Sequence, residues 1–268
     1  MATGREHALP SPANGQVAGT QTIVRALAVL RELRDADGDV GITEIARALE
    51  LHTSTVHRIV KALAAAGYVA QNDRTERYRL GREAFLLGRA AERTLGFEAA
   101  KPLLERLAEI TGESVNLVVR DGDEGLVVLR EESQQPLRFT QPVGARVPLY
   151  CTSTGKILLA FTEDPSAEVT RLGELKALTA TTITSPRELL RELEQVKRQG
   201  FSVNKSERVP GVCGVAAAVL DADGLASAAV AVQGPEFRMP DERIAELASL
   251  AMATAEDIAA AIPHGYHL

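Results

Sequence analysis

The chain has 268 residues, enough for two domains of ordinary size. Apolar residues make up 45% and charged residues 25%, which excludes a disordered or fibrous chain and fits a soluble globular one. No run approaches the roughly 18 consecutive apolar residues of a membrane span, and the net charge of −6 alone argues against nucleic acid.

Residues 1–20 are rich in Gly, Pro, Ser and Ala, with no apolar core and no basic start, so they read as a loose arm and not as a signal peptide. A chain without an export signal is expected in the cytoplasm. From Thr22 to Arg34 the apolar residues Ile23, Ala26, Leu27, Leu30 and Leu33 recur at helical spacing, and Asp35-Ala-Asp-Gly38 ends the pattern. Ile42, Ile45, Ala46 and Leu49 mark a short second helix with Thr43 as its expected N-cap and Glu44 favouring its positive end. Leu51-His52-Thr53 fits a tight turn into a third helix, Ser54 to Ala66. Its inward stripe is Val56, Ile59, Val60 and Leu63, and Gly67 is the expected stop. Tyr68 to Gln71 and Arg77 to Leu80, joined by the polar turn Asn72-Asp-Arg-Thr-Glu76, predict a β-hairpin. Three helices followed by a hairpin make a winged helix-turn-helix, assigned to 21–81. A connecting helix follows at 82–96, with the domain boundary near Gly96.

The larger part, 97–263, is mixed, with a short tail at 264–268. Pro102 is expected in the first turn of its helix, where proline is tolerated. Ser114–Arg120 and Gly125–Glu131 read as strands around a turn, as do Gly214–Leu220 and Ala226–Val232. Ser185-Pro-Arg-Glu188 is a capping box opening a helix that ends at Gly200, and Asp241–Ala261 is a final amphipathic helix. Helix, strands, helices, strands, helix is an α+β order with an antiparallel sheet, not a doubly wound one.

Charge is uneven along this plan. From Gln21 to Gly96 there are 12 Lys/Arg against 10 Asp/Glu, and from His52 to Arg82 there are 6 against 2, while the part beyond Gly96 carries −8. A short basic stretch on an acidic body is the footprint of a small DNA reader joined to a domain that does not touch DNA. If the aliphatic stripe of the third helix faces inward, Thr53, Ser54, Thr55, His57, Arg58 and Lys61 fall on its outer side, where hydroxyls and cations serve base edges and phosphates. Arg74, Arg77 and Arg79 on the hairpin supply a second backbone contact or an arm into the minor groove. Solvated polar positions would look the same one by one. The order of helix, tight turn, helix and basic hairpin favours double-stranded DNA.

Several segments together resemble the IclR family of transcription regulators. They are Thr22-Ile-Val-Arg-Ala-Leu-Ala-Val-Leu30, Ile42-Thr-Glu-Ile-Ala-Arg-Ala-Leu49, Ser54-Thr-Val-His-Arg58, Ala66-Gly-Tyr68 and Tyr78-Arg-Leu-Gly81, then Val147-Pro148, Ser153-Thr-Gly-Lys156, the Ser185-Pro-Arg-Glu188 helix and Glu207-Arg-Val-Pro-Gly-Val212. The resemblance spans Gln21 to Ala261. It implies a winged helix-turn-helix, a linker helix and a GAF-like effector domain. It further implies homodimers or homotetramers whose N-terminal helices pair the DNA readers, hence (pseudo)palindromic operators. A repressor is the family tendency.

The same resemblance places a small-molecule effector between the sheet and a loop-helix region, lined by Phe139, Ser153, Thr154, Asn204, Val212, Gly214, Ala231 and Gln233. Related pockets often use acidic or hydroxyl groups where this chain has amides and alanine. That departure disfavours a very small keto acid and favours an aromatic acid, hydrazide or amide-like catabolite. Small residues before a helix at Lys156–Phe161 leave backbone N–H groups accessible to an anion, although Thr152 or Ser153 can equally be an ordinary cap.

Enzyme readings lack their motifs. Gly155-Lys156 matches the end of a phosphate-binding loop, but Tyr150 and Ile157 stand where Gly and Ser/Thr are needed. Cys151 and Cys213 read as buried thiols with no histidine placed to activate them and no ligand set for a metal. No cofactor is expected. A helix-turn-helix used only for assembly, and an enzyme in the C-terminal half, remain the alternative readings.

Overall fold

The computed structural model describes residues 20–262; the expected arm short of Thr20, the tail, and with them His7, His264 and His267 lie outside the described residues. The chain divides between Ala91 and Glu92 into two compact units, a few residues before the expected boundary at Gly96.

The first unit opens with α1 (Thr20–Asp35), α2 (Ile42–Ala48) and α3 (Thr53–Ala65), followed by the hairpin β1 (Val69–Gln71) and β2 (Tyr78–Leu80). Helix α3 turns Val56, Ile59 and Val60 inward against Ala28, Val29 and Leu33 of α1 and Ile45 and Ala46 of α2, while Leu63 is only half-buried at the edge. Full burial of such aliphatic side chains is worth about 1.5–3 kcal/mol each, and it fixes which side of α3 faces out. The N-cap of α2 is Gly41 and not Thr43. Glu44, the third residue of the helix, accepts a hydrogen bond from the Gly41 N–H at 3.3 Å. The hairpin gains a third short rung where Val40 and Tyr78 exchange backbone hydrogen bonds at 2.8 Å. Helix α4 (Arg82–Thr94) runs across the division between the units.

The second unit holds α5 (Phe97–Thr111), β3 (Ser114–Asp121), β4 (Glu124–Glu131), β5 (Arg146–Pro148), α6 (Ser153–Ala160), α7 (Pro165–Arg171), α8 (Pro186–Gln199), β6 (Phe201–Lys205), β7 (Val212–Leu220), β8 (Ala226–Pro235) and α9 (Asp241–Ala261). Its six strands form one antiparallel sheet in the order β5-β4-β3-β8-β7-β6. Alternation along the strands serves two cores. Val115, Leu117, Val215, Val230 and Val232 pack on Leu104 and Leu107 of α5 and Leu247 and Ala251 of α9. Val118, Ala216 and Ala229 pack on Ile157 and Leu158 of α6 and Leu189 and Leu193 of α8.

Two further sequence expectations are corrected. Pro102 is the sixth residue of α5, beyond the first turn, so the helix accepts a missing N–H in its body. Helix α6 begins at Ser153, three residues before Lys156, because Thr152 caps it: its Oγ1 accepts from the Gly155 N–H at 3.1 Å.

Gly155 is where α6 meets the chain that feeds it. A Cβ there would stand 2.2 Å from the Leu149 carbonyl oxygen, a backbone atom that cannot swing aside. Gly155→Ala is therefore expected to destabilise the second unit by about 3 kcal/mol, the upper range for overpacking, read from its thermal or urea unfolding transition.

Candidate DNA interface and effector cavity

The outward side of α3 carries Thr53, Ser54, His57, Arg58 and Lys61, all exposed, with Thr55 half-buried beside Val56. This is the N-terminal end of the second helix of a helix-turn-helix, the end that meets base edges in such proteins. On the hairpin, Arg74 and Arg79 are exposed. Arg77 is placed differently. Its guanidinium donates to Glu44 Oε2 at 2.6 Å and to the Asp39 carbonyl at 2.8 Å, tying the hairpin to α2. The same contact holds the Glu44 carboxyl below the usual carboxylate range, with the Gly41 N–H adding to the effect. Asn72 shapes the hairpin tip, accepting at its Oδ1 from the Arg74 and Thr75 N–H groups and donating to Asp39.

In the second unit a cavity of about 280 Å³, open mouth included, lies at one end of the sheet on the α6 face. Register explains its floor: Asn204, Gly214 and Gln233 are direct partners across β6, β7 and β8. Glycine in the middle leaves a gap, since a Cβ on Gly214 would come 2.9 Å from Ser153 Oγ and 3.3 Å from Gln233 Cγ. Of the residues singled out from sequence, Phe139, Asn204, Val212, Gly214 and Gln233 line this cavity. Ser153, Thr154 and Ala231 are fully buried and do not line it. Gln141, Thr152, Arg208, Val209 and Cys213 complete the wall and were not expected. Gln141 and Arg208 sit in stretches without regular periodicity, so no sequence signal aimed them inward.

Two buried polar networks hold the wall. Asn116 donates to Gln141 Oε1 at 3.1 Å and Gln233 Oε1 at 3.0 Å, while its own Oδ1 is buried without a partner. Lys156, 1% exposed, donates from Nζ to Glu207 Oε1 at 2.7 Å, Glu192 Oε1 at 2.9 Å and the Val203 carbonyl at 2.5 Å. Burial raises the Glu207 carboxyl and the Lys156 charge opposes it. The lysine thereby joins α6 and α8 to the loop after β6 that carries Arg208 and Val209. Lys156→Met is expected to cost roughly 3–5 kcal/mol in urea unfolding of the full chain, because it strands Glu207 without its counter-charge.

Cys151 and Cys213 are free and buried, and burial pushes each thiol up to about 11. Neither carries an appreciable thiolate population at neutral pH. A disulfide-exchange thiol reagent at pH 8 is expected to label almost none of the native protein and both cysteines in denaturant. Among the described residues no cluster of His, Cys, Asp or Glu is arranged to hold a metal ion, and no helix is long and apolar enough to cross a membrane.

A winged helix-turn-helix followed by a domain with a polar-walled cavity under an antiparallel sheet is the layout of a ligand-responsive DNA-binding regulator. Residues 22–73 match the IclR helix-turn-helix domain and residues 90–260 match the bacterial transcriptional regulator IclR C-terminal domain. The chain belongs to the IclR family of transcription regulators. It is 34% identical over 242 residues to the HTH-type transcriptional regulator BhcR of Paracoccus denitrificans, covering 90% of this chain and 86% of that protein. It is 31% identical over 246 residues to the HTH-type transcriptional repressor AllR of Escherichia coli K12, covering 91% of each. Its fold matches, with a TM-score of 0.78 at 21% identity over 90% of this chain and 98% of the other, an IclR homologue from Microbacterium hydrocarbonoxydans complexed with 4-hydroxybenzoate.

Proposed function

We propose that this regulator is a cytoplasmic, non-enzymatic transcriptional repressor. In this reading residues 21–81 contact a pseudo-palindromic operator, 82–96 is the linker, and 97–263 binds a small-molecule effector. One observation carries it: the aliphatic stripe of α3 closes the core of its unit while Thr53, Ser54, His57, Arg58 and Lys61 stay exposed beside Arg74 and Arg79. Arg58 and Lys61 provide the charge, the hydroxyls and Thr55 serve phosphates or base edges, and Arg77 acts indirectly by holding the hairpin. Repression is supported by the relation to AllR. Exposed Ile23 and Leu27 on α1 and Phe85, Leu86 and Leu87 on α4 support a homo-oligomer, a dimer or a dimer of dimers, since apolar groups left in water favour pairing. A dimer places two readers on the two half-sites of a palindrome.

The effector reading places an aromatic acid, hydrazide or amide-like molecule against Phe139, Asn204, Val212, Gly214 and Gln233, with Ser153, Thr154 and Ala231 behind the wall. The effector acts through its differential affinity for two spacings of the paired readers. The relative crystallised with 4-hydroxybenzoate supports control by a small molecule.

Mobility shift with the DNA upstream of the chain's own gene is expected to give a specific complex that weakens steeply with salt as counterions are released. Arg58→Ala is expected to weaken it by about 1–3 kcal/mol and to relax preference at one base pair. Equal binding to any DNA, or none, contradicts the proposal.

A further inference from the structure

We infer that two acids of the first unit, Asp39 and Glu44, strengthen DNA binding as positioning residues. They hold the β1–β2 hairpin in the pose from which Arg74 and Arg79 reach phosphates. The inference rests on the reading of α3 and the hairpin as the DNA interface. It deepens that reading by assigning affinity for a polyanion to carboxylates, whose own charge would oppose it.

Apolar packing does not reach the tip of the hairpin. Val69 and Tyr78 are buried in the core of the unit, and Tyr78 is bridged to Val40, so the base is anchored. From Gln71 to Arg77 no residue is buried, and the position of the tip depends on polar contacts. Asp39, between α1 and α2, grips both sides of the turn. Its Oδ2 accepts from the Asn72 side-chain amide at 2.8 Å, and its backbone carbonyl accepts from Arg77 Nε at 2.8 Å. Asn72 and Arg77 are joined to each other where the turn closes, the Asn72 N–H donating to the Arg77 carbonyl at 2.8 Å. Glu44 takes the other end of the same guanidinium, its Oε2 accepting from Arg77 Nη2 at 2.6 Å. That oxygen also accepts the Gly41 N–H, which fixes the carboxylate to the start of α2.

The grip passes on to the cationic residues. Asn72 Oδ1 accepts from the Arg74 N–H at 3.1 Å, so Asp39 acts through Asn72 on the backbone that carries Arg74. Arg79 lies two residues beyond Arg77 on β2 and shares its face of the strand. Arg77 itself is spent on Asp39 and Glu44, and its contribution is the orientation of its neighbours. The Arg77 and Glu44 side chains are 41% and 48% exposed, and an ion pair that open to water adds little to stability. Its loss therefore leaves the fold of the unit standing and frees the tip to swing about its anchored base. A swinging tip must be ordered again when DNA binds, and that entropy is drawn from the affinity.

Replacing each acid by alanine and by its amide separates charge from grip. Both replacements remove the same charge, and only the amide keeps an oxygen for Asn72 or Arg77. The full chain and its variants are titrated across a salt series with the DNA upstream of the chain's own gene and with unrelated DNA. Asp39→Ala and Glu44→Ala are expected to bind the upstream DNA roughly ten-fold more weakly or worse, about five-fold for each phosphate contact given up near about 0.15 M salt. The slope of log affinity against log salt is expected to become shallower by about 0.9 per contact. Asp39→Asn and Glu44→Gln are expected to stay within about two-fold of the parent, because the acceptor survives. Removing Arg74 and Arg79 together is expected to weaken the parent as much as Asp39→Ala does, and to weaken Asp39→Ala by less than about two-fold more, the non-additivity of residues that act as one unit. Alanine variants that bind as tightly as the parent or tighter, amides no better than the alanines, or a loss that leaves the salt slope unchanged each overturn the inference while leaving α3 as the reader. A parent that does not distinguish its upstream DNA from unrelated DNA overturns the reading of the interface itself.

Discussion

The seating of three aliphatic side chains decides what the first unit can do. Val56, Ile59 and Val60 are almost wholly removed from water, and their burial against α1 and α2 fixes the rotation of α3 about its axis. A helix has no second way to bury that stripe, so its remaining faces must point outward, with Arg58 and Lys61 among them. The turn at Leu51-His52 then sets the angle at which the N-terminal end of α3 is presented. Arg77 contributes by joining β2 to α2, which keeps Arg74 and Arg79 on a fixed hairpin and not on a free loop. Interaction with DNA is in this sense a by-product of core packing: the apolar face is satisfied first, and the cationic face is what remains.

In the second unit the same logic runs through charge. A lysine with 1% exposure is tolerated only because Glu207, Glu192 and the Val203 carbonyl surround its ammonium group. That cluster ties two helices to the loop that walls the cavity, so the shape of the cavity depends on a charged contact as well as on apolar packing. Gly214 supplies the opening and its register partners Asn204 and Gln233 supply the polar sides.

Much of this was legible from residue order. Apolar spacing of 3.6 located α1, α3 and α9, paired runs around short polar turns located β3, β4, β7 and β8, and Gly67, Gly200 and the Ser185 cap marked ends that the structure keeps. Boundaries failed where a side chain competed for the cap: Thr152 drew the start of α6 back to Ser153, and Glu44 reaching Gly41 displaced Thr43. The short strands β5 and β6 and helix α7 carry too few residues for a period to stand out. Pairings between distant segments were invisible in principle. Nothing local to Lys156 announces Glu207, 51 residues on, and nothing local to Arg208 or Gln141 says that they meet across a cavity.

The claim on which the account stands is that the outer side of α3 meets duplex DNA. Amide hydrogen exchange of the full chain, with and without its upstream DNA, addresses it without any substitution. The account predicts slowed exchange confined to residues 52–61 and the hairpin tip at 72–76, with the sheet of the second unit unchanged. Protection that leaves α3 untouched while a tight complex forms would contradict it.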